Sequence, residues 1–534
     1  MFVRAKRSVQ AGRTYEYLQI CQAFRQDGKP RQKVIATLGR LDSLVSSGDL
    51  DAVIGGLARF SENVRVVEEA HKRGLHALCA KPWAAPLVFS RLWRSQGLSE
   101  ILRRLAGARA FGFDVERVAF VMALQRLMAP GSDRAGSEWV KTVELPEAQE
   151  IPLHRFYRTC GLLGEVREDL ERELFAKDQD LFSEELDLVF VDTTSTFIYR
   201  DSLKQTPLRK RGYSRDHRGD LPQIVLCVAV DRKGWPVAWD ILPGNTADKE
   251  AFVATIAKLR RRFHIRRAIV VADRGMLSRQ TLHLLAEHKS APFEYILGCP
   301  LRREKEVREQ VLGRAGRYKA VDDALEVKEV LVEGRRYVVC RNPQEAERDC
   351  AARTAILEKL EQTLRRQGVK AVIGNKGYAR FLSIDKSAVE INQAAVDNDA
   401  RLDGKFVLAT NTKLPPEEVA KTYKGLWRVE RTFREQKSTL EVRPIFHHSD
   451  ANSVGHIVAS FLALRLEVDL QRRLEQRGAD VEWATLIRDL SQVQAVHLEM
   501  NGRSYLLRTD LAGSAHLAFA AAGVRPPPTV TRLS

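Results

Sequence analysis

Between Leu186 and Gly298 the apolar residues fall into short unbroken runs, separated by turn residues and by two amphipathic stretches. The runs "LDLVFVDTTSTFIY", "PQIVLCVAV", "PVAWDILPG", "AIVVAD" and "FEYILG" are rich in β-branched residues and read as strands buried on both faces. "DKEAFVATIAKLRRRF" and "SRQTLHLLAEHK" repeat apolar residues at three- and four-residue steps and read as helices. The order β-β-β-α-β-α-β predicts one mixed sheet with flanking helices, an α/β architecture.

The pattern differs on either side of this block. Residues 1–42 read as a basic β-hairpin, "TYEYLQICQAFR" and "RQKVIATLG" around the turn signal Asp27-Gly28. Residues 43–180 read as a mainly helical region, with apolar residues at three- and four-residue steps in "PLVFSRLWRSQGLSEILRRLAG", "DVERVAFVMALQRLMAPG" and "PLHRFYRTCGLLGEVREDLERELFA". After the core's first part at 181–298, residues 299–403 interrupt with a strand pair, "LEVKEVLVEGRRYVVCRN", and a charged helix, which suits an inserted β-rich subdomain. The core resumes over 404–448 with "GKFVLATN" and one long helix opened by Pro415-Pro416. Residues 449–534 hold one strongly apolar helix and a Pro-rich tail, "VRPPPTVTRLS", expected to be disordered and flexible.

Charge narrows the class. The 534 residues carry a formal net charge of +17, which favours a polyanionic partner, nucleic acid first. Arg25, Lys29, Arg31 and Lys33 cluster on the N-terminal hairpin and are candidates for contact with a phosphate backbone. No apolar run approaches the roughly 18 residues of a membrane span, and the basic N-terminus lacks a secretory h-region, so a cytoplasmic protein without a membrane partner is expected. The seven cysteines form no CxxC pair and no Cys/His cluster, which argues against a disulfide framework or a structural zinc.

Three acids carry the candidate chemistry. Asp192 closes "LVFVD" and Asp273 closes "IVVAD", each where a buried strand reaches the sheet edge. The third is Glu430. At about 100° per residue, Tyr423, Trp427, Glu430, Arg434 and Lys437 share one narrow helix face, and Leu426, Val429, Phe433 and Leu440 form an adjoining apolar stripe that should dock on the sheet. Glu430 is therefore expected at the edge of the buried face. Two Asp and one Glu converging on a point make a hard oxygen site suited to Mg²⁺ or Mn²⁺. Two such ions about 3.5–4 Å apart serve phosphodiester cleavage or transfer.

These residues sit in motifs that resemble the DDE transposases of bacterial insertion sequences. The matching stretches are "VDTTST" around Asp192, "GYSRDHRGDLPQ", "LPGNTADKEAF", "VVADRGMLS" around Asp273, "DGKFVLATNT" and "YKGLWRVERTFREQK" around Glu430, and the N-terminal hairpin resembles one subgroup of these elements. The likeness spans about 180–470. It implies a ribonuclease-H-like catalytic core interrupted by an inserted β-rich subdomain. The similar branch carries a Tyr-x₂-Arg-x₃-Glu-x₆-Lys motif, in which the Arg and Lys contact DNA phosphates. Tyr423, Glu430 and Lys437 match it, whereas Leu426 stands at the Arg position. Arg434 is the preferred replacement, since Arg428 falls about 140° round the helix. Arg274, just after Asp273, is a further DNA-binding candidate. Some relatives stack an inserted-domain Trp on a flipped base. Here every Trp lies outside 299–403, leaving Tyr318, Tyr337, Tyr378 or Phe381 for that task.

The resemblance implies a transposase that binds the terminal inverted repeats of its element and, with two Mg²⁺ or Mn²⁺ held by Asp192, Asp273 and Glu430, cleaves and transfers DNA strands. It further implies double-stranded DNA, both transposon ends and target, as partner, end binding by residues 1–180, a homodimer in the synaptic complex with dimerisation through 449–534, and a bacterial, nucleoid-associated setting. Two alternatives share the features: a structure-specific endonuclease without strand transfer, and a catalytically silent DNA-binding repressor. His447 and His448 in "RPIFHHSD" read as a solvated helix end.

Overall fold

The computed structural model describes residues 1–534 except 11–12, 27–28, 59–71, 73, 183–187, 200–204, 264–268, 277, 287–292, 302–306, 374, 385–388, 436, 438–439 and 534. The chain forms two compact units. One comprises Met1–Ala80, Ala495–Asp510 and Pro527–Ser534; the other comprises Lys81–Gln494 and Leu511–Pro526.

In the first unit, β1 (Phe2–Gln10), β2 (Arg13–Gln26) and β3 (Lys29–Arg40) make an antiparallel three-stranded sheet. The expected hairpin is thus extended by β1. Its turn residues Asp27 and Gly28 lie outside the described residues. A second sheet joins β4 (Leu75–Pro82) to Gln494–Met500, Arg503–Arg508 and Val530–Arg532. Two features differ from the sequence reading. Between helices, the stretch read as mainly helical also contains β4, a strand that reading did not place. The tail read as disordered supplies the strand Val530–Arg532, registered on Tyr505, Leu506 and Leu507. An edge strand of three residues is held by its neighbour's unpaired backbone groups, so it leaves no periodic signature.

The second unit is built on a nine-stranded sheet. β5 (Leu188–Phe197), β6 (Gln223–Asp231) and β7 (Pro236–Pro243) form the antiparallel meander, and β8 (Ile269–Ala272) and β9 (Glu294–Cys299) follow in parallel. β10 (Lys319–Asp322), β11 (Leu325–Val332) and β12 (Arg335–Arg341) come next, then the small pair β13 (Leu382–Ile384) and β14 (Val389–Ile391), then β15 (Lys405–Thr410). The order across the large sheet is β10-β11-β12-β15-β9-β8-β5-β6-β7. The strands β7-β6-β5-β8-β9 give the mixed α/β core expected of a ribonuclease-H-like fold. Of the strands of 299–403, β10–β12 extend the core sheet, since β12 pairs with β15 and β15 with β9, whereas β13 and β14 form a two-stranded sheet of their own. What stands apart is the helix Pro343–Gln367 with a small cluster around Leu360, Val372, Tyr378 and Phe381.

Alternation along β5 explains the layering. Leu188 and Phe190 join the core shared with the helices Trp427–Arg434 and Asp450–Glu475, while Val189 and Val191 join the core under the helix Asp248–Phe263. Both faces are covered, which accounts for the unbroken apolar runs. Behind the sheet a buried guanidinium ties three elements. Arg465, 1% exposed, forks onto Asp178 at 2.9 and 2.8 Å, stacks 4.4 Å over the Trp235 ring and donates to Pro236 O. No helix among the described residues is long and apolar enough to cross a membrane.

Candidate active site

β5 and β8 run parallel and pair from Leu188↔Ile269 to Val191↔Ala272. Asp192 and Asp273 are the next residue on each, so the two carboxylates stand side by side where the pairing stops. β5 itself continues to Phe197 along β6, as the run "LDLVFVDTTSTFIY" predicts, so Asp192 lies within its strand rather than at the end of it. Antiparallel pairing to β6 fixes the Asp192 backbone on one side while β8 ends on the other.

Asp192 is mostly buried, and burial pushes its carboxyl up to about 6. The nearby Arg215 guanidinium and the Thr193 N–H oppose that rise, whereas Asp273 and Asp248 reinforce it. Arg215 ties this edge together: its Nη1 lies 4.0 Å from Asp192 Oδ1, and its Nη2 reaches Thr193 Oγ1 at 2.6 Å and Asp248 at 2.9 Å. Asp273 is exposed and accepts a hydrogen bond from the Tyr423 hydroxyl at 2.9 Å. Burial, and then Asp273, raise the Tyr423 hydroxyl far above its ordinary value, so it stays a donor. Arg274 hydrogen-bonds the same hydroxyl. Gly298 makes room for this contact: a Cβ there would lie 2.5 Å from Tyr423 Oη and 3.1 Å from Arg274 N.

The expected single helix is two. Pro416–Lys424 and Trp427–Arg434 meet at Gly425-Leu426, where Gly425, Leu426 and Arg428 donate to the third residue back rather than the fourth. Such turns advance by about 120° per residue, so a wheel at 100° loses phase between Tyr423 and Glu430. The cause is close packing, since a Cβ on Gly425 would lie 2.7 Å from Phe190 Cζ. After Arg434 the ladder widens, with Leu440 N donating to Glu435 O.

The apolar stripe docks as expected: Leu426, Val429, Phe433 and Leu440 are all buried. Glu430 is exposed rather than at a buried edge, and Arg434 is exposed too. The Glu430 helix lies on β5 and β6, yet the three carboxylates are not gathered within 4.8 Å of one another. Asp192 and Asp273 are brought together by the pairing of β5 with β8. Lys437 is half-buried and donates to Asp216 at 3.3 Å; burial lowers its ammonium below the usual range against the pull of Asp216. Arg443 pairs with the same Asp216. Arg428 packs over Phe190 and Trp427.

In the other unit, Arg25, Lys29, Arg31 and Lys33 are all exposed. Register separates them. Lys29, Arg31 and Lys33 oppose Gln26, Phe24 and Gln22 and share one face, while Arg25 opposes Pro30 and points to the other. Of the flipped-base candidates, Tyr337, Tyr378 and Phe381 are buried and present no free ring. The exposed aromatic beside Glu430 is Trp427.

Sequence reasoning missed Arg215, Asp216, Asp248 and Gly298. The first three lie inside "GYSRDHRGDLPQ" and "LPGNTADKEAF", whose charge density was the available signal. Gly298 had none, because its role is to be absent. Two carboxylates flanked by Thr193 and Asp248 offer hard oxygen donors, and their mutual repulsion at a half-exposed edge fits a divalent cation.

Residues 3–70 match the N-terminal domain of IS1634 family transposases. Residues 185–466, more than half of the chain, match the transposase DDE domain. No curated protein matches the sequence. Among solved structures, the Mos1 transposase paired-end complex with left transposon end shows 13% identity over 35% of this chain and 60% of that one, with a TM-score of 0.15. The Mos1 mariner paired end complex with Mn shows 13% identity over 39% of this chain and 76% of that one, with a TM-score of 0.13. These likenesses are too slight to bear on the chain.

Proposed function

The chain belongs to the DDE transposase family, and from that premise we propose that it is an insertion-sequence transposase that cuts DNA at the ends of its element and joins the freed 3′ ends to a target. The carrying observation is the placement of Asp192 and Asp273 at the paired edge of β5 and β8, with the Glu430 helix lying on β5. Asp192, Asp273 and Glu430 would hold Mg²⁺ or Mn²⁺, with Glu430 brought in when DNA or metal is bound. When bound, two such ions supply activation of the attacking oxygen and neutralisation of the leaving one.

The protein's own groups do the rest. β5 and β8 fix the two aspartates on rigid backbone, so little orientation is lost during reaction. Tyr423 is a positioning residue: its hydroxyl sets the rotamer of Asp273. Arg215 keeps Asp192 in place through Thr193 and Asp248. Lys437 and Arg434 receive the backbone of the cleaved strand, a phosphate replacing Asp216 as the partner of Lys437. Lys29, Arg31 and Lys33 on one sheet face grip flanking DNA, with Arg25 on the opposite face reaching a second contact. A homodimer pairs the two element ends.

The test is incubation of the purified protein with the DNA flanking its own gene, Mn²⁺ and a target plasmid, with products mapped to the nucleotide. Cuts at the element ends and joined products are expected; cuts without joining indicate a nuclease, and binding without cuts a repressor. End binding should weaken steeply with salt, with a log–log slope of roughly 0.9 per phosphate neutralised. A flat response would contradict the backbone contacts.

Gly298→Ala gives a sharper check. The added methyl displaces the Tyr423 hydroxyl from Asp273, and cleavage should fall about tenfold. Tyr423→Phe should cost the same. The double variant should be no worse than either, because both act through one hydrogen bond. Additive losses in a single-turnover cleavage assay would show that the two residues act separately.

A further inference from the structure

Away from the aspartate pair, the described residues hold one group of three possible metal ligands: Asp133, Cys160 and His447, whose donor atoms lie within 4.8 Å of one another. All three are buried. His447 is thus no part of a solvated helix end, against the expectation from sequence. The three come from separate segments: the first turn of the helix Asp133–Trp139, the middle of the helix Leu153–Glu165, and the loop preceding the helix Asp450–Glu475. Two glycines draw the last two together. A Cβ on Gly455 would fall 1.7 Å from Cys160 O, and one on Gly164 would fall 2.0 Å from Ala451 O, so these helices touch backbone to backbone.

His447 Nε2 lies 3.5 Å from Asp133 Oδ2 and 3.8 Å from Cys160 Sγ. Zinc bonds of about 2.0–2.3 Å at tetrahedral angles separate neighbouring donors by roughly 3.3–3.6 Å. The cluster therefore stands close to ligand spacing. Asp133 Oδ2 is buried with no hydrogen bond of good geometry, and the donors beside that carboxylate are the other two members of the group, His447 Nε2 at 3.5 Å and the Cys160 thiol. A carboxylate oxygen in that position calls for a cation or a donor. Arg126 does not fill the need: its Nη2 is 3.7 Å from the other oxygen, Oδ1, and bonds His456 Nδ1 at 3.0 Å, while its Nη1 donates to Gly131 O. The Cys160 thiol donates to Asn452 O at 3.0 Å.

We propose that Asp133, Cys160 and His447 bind one structural zinc ion, fastening the helical region that precedes the core to the segment that follows the Glu430 helix. A sulfur, an imidazole nitrogen and a carboxylate oxygen form a set that selects zinc over magnesium. On binding, the Cys160 S–H bond is replaced by a Zn–S bond and the proton leaves to solvent; no electron is transferred. Among the described residues no fourth His, Cys, Asp or Glu joins the group. "No Cys/His cluster" held for the sequence because the three ligands are far apart along it.

The test uses the full chain and needs no DNA, so its outcome is independent of the proposed activity. After dialysis against metal-free buffer, elemental analysis should find about one zinc per chain, in wild type and in Asp192→Asn/Asp273→Asn alike. Cys160→Ser and His447→Gln should lose it. Cobalt exchanged for zinc should give a sulfur-to-cobalt absorption band that Cys160→Ser lacks. Chelation should lower the melting temperature of the wild type, restored by zinc and not by magnesium. A metal-free wild type that takes up no zinc from an added equivalent, or cobalt bound without the sulfur band, would overturn the proposal and leave a hydrogen-bonded triad.

Discussion

Asp192→Asn should cut strand cleavage by at least about 10³-fold, some 4 kcal/mol of barrier, while end binding in a gel shift changes by no more than about twofold. The substitution is nearly isosteric and the Asp192 backbone is held in register by β6, so the fold should persist. What is lost is a negative oxygen at the site where a cation would sit. Asp273→Asn should behave alike, its amide oxygen still accepting from the Tyr423 hydroxyl while the negative charge is lost. Binding and cleavage falling together would mean that the aspartates support the DNA-binding surface instead of the reaction.

The second large effect concerns stability. Asp178→Ala leaves the Arg465 guanidinium buried without its carboxylate, and the Trp235 indole N–H without its acceptor at 2.9 Å. Removing one partner of a buried pair costs about 3–5 kcal/mol. The melting temperature should drop accordingly. Asp178→Leu combined with Arg465→Met should cost much less, since no uncompensated charge remains. A double variant as unstable as the single one would place the cost in lost packing around Trp235.

Much of this was legible. Runs such as "IVVAD" and "LVFVD" gave the strands and put one acid at each junction, because burial on both faces and β-branching leave a strong local trace. The stripe Leu426, Val429, Phe433, Leu440 was legible for the same reason. The helix break was not. It arises from the contact between Gly425 and Phe190, far apart in sequence, and it shifts the phase that any wheel assumes. Glu430 was therefore placed too near the buried edge. The Tyr423–Asp273 hydrogen bond, the Gly298 gap and the clasp of Lys437 by Asp216 were illegible for a related reason: each depends on side chains meeting across the fold. β11 and β12 are legible as a strand pair, but β10 and the union of β12 with β15 were hidden, since a pairing partner has no signature in the strand's own pattern.

The sheet containing β4 has consequences for synthesis. Its other strands, Gln494–Met500, Arg503–Arg508 and Val530–Arg532, emerge from the ribosome more than four hundred residues later. Until then β4 has no neighbours from this sheet, and a chain interrupted near its end never closes it. A premature stop codon ahead of Gln494–Met500 would thus leave β4, made near the beginning of the polypeptide, without its sheet partner.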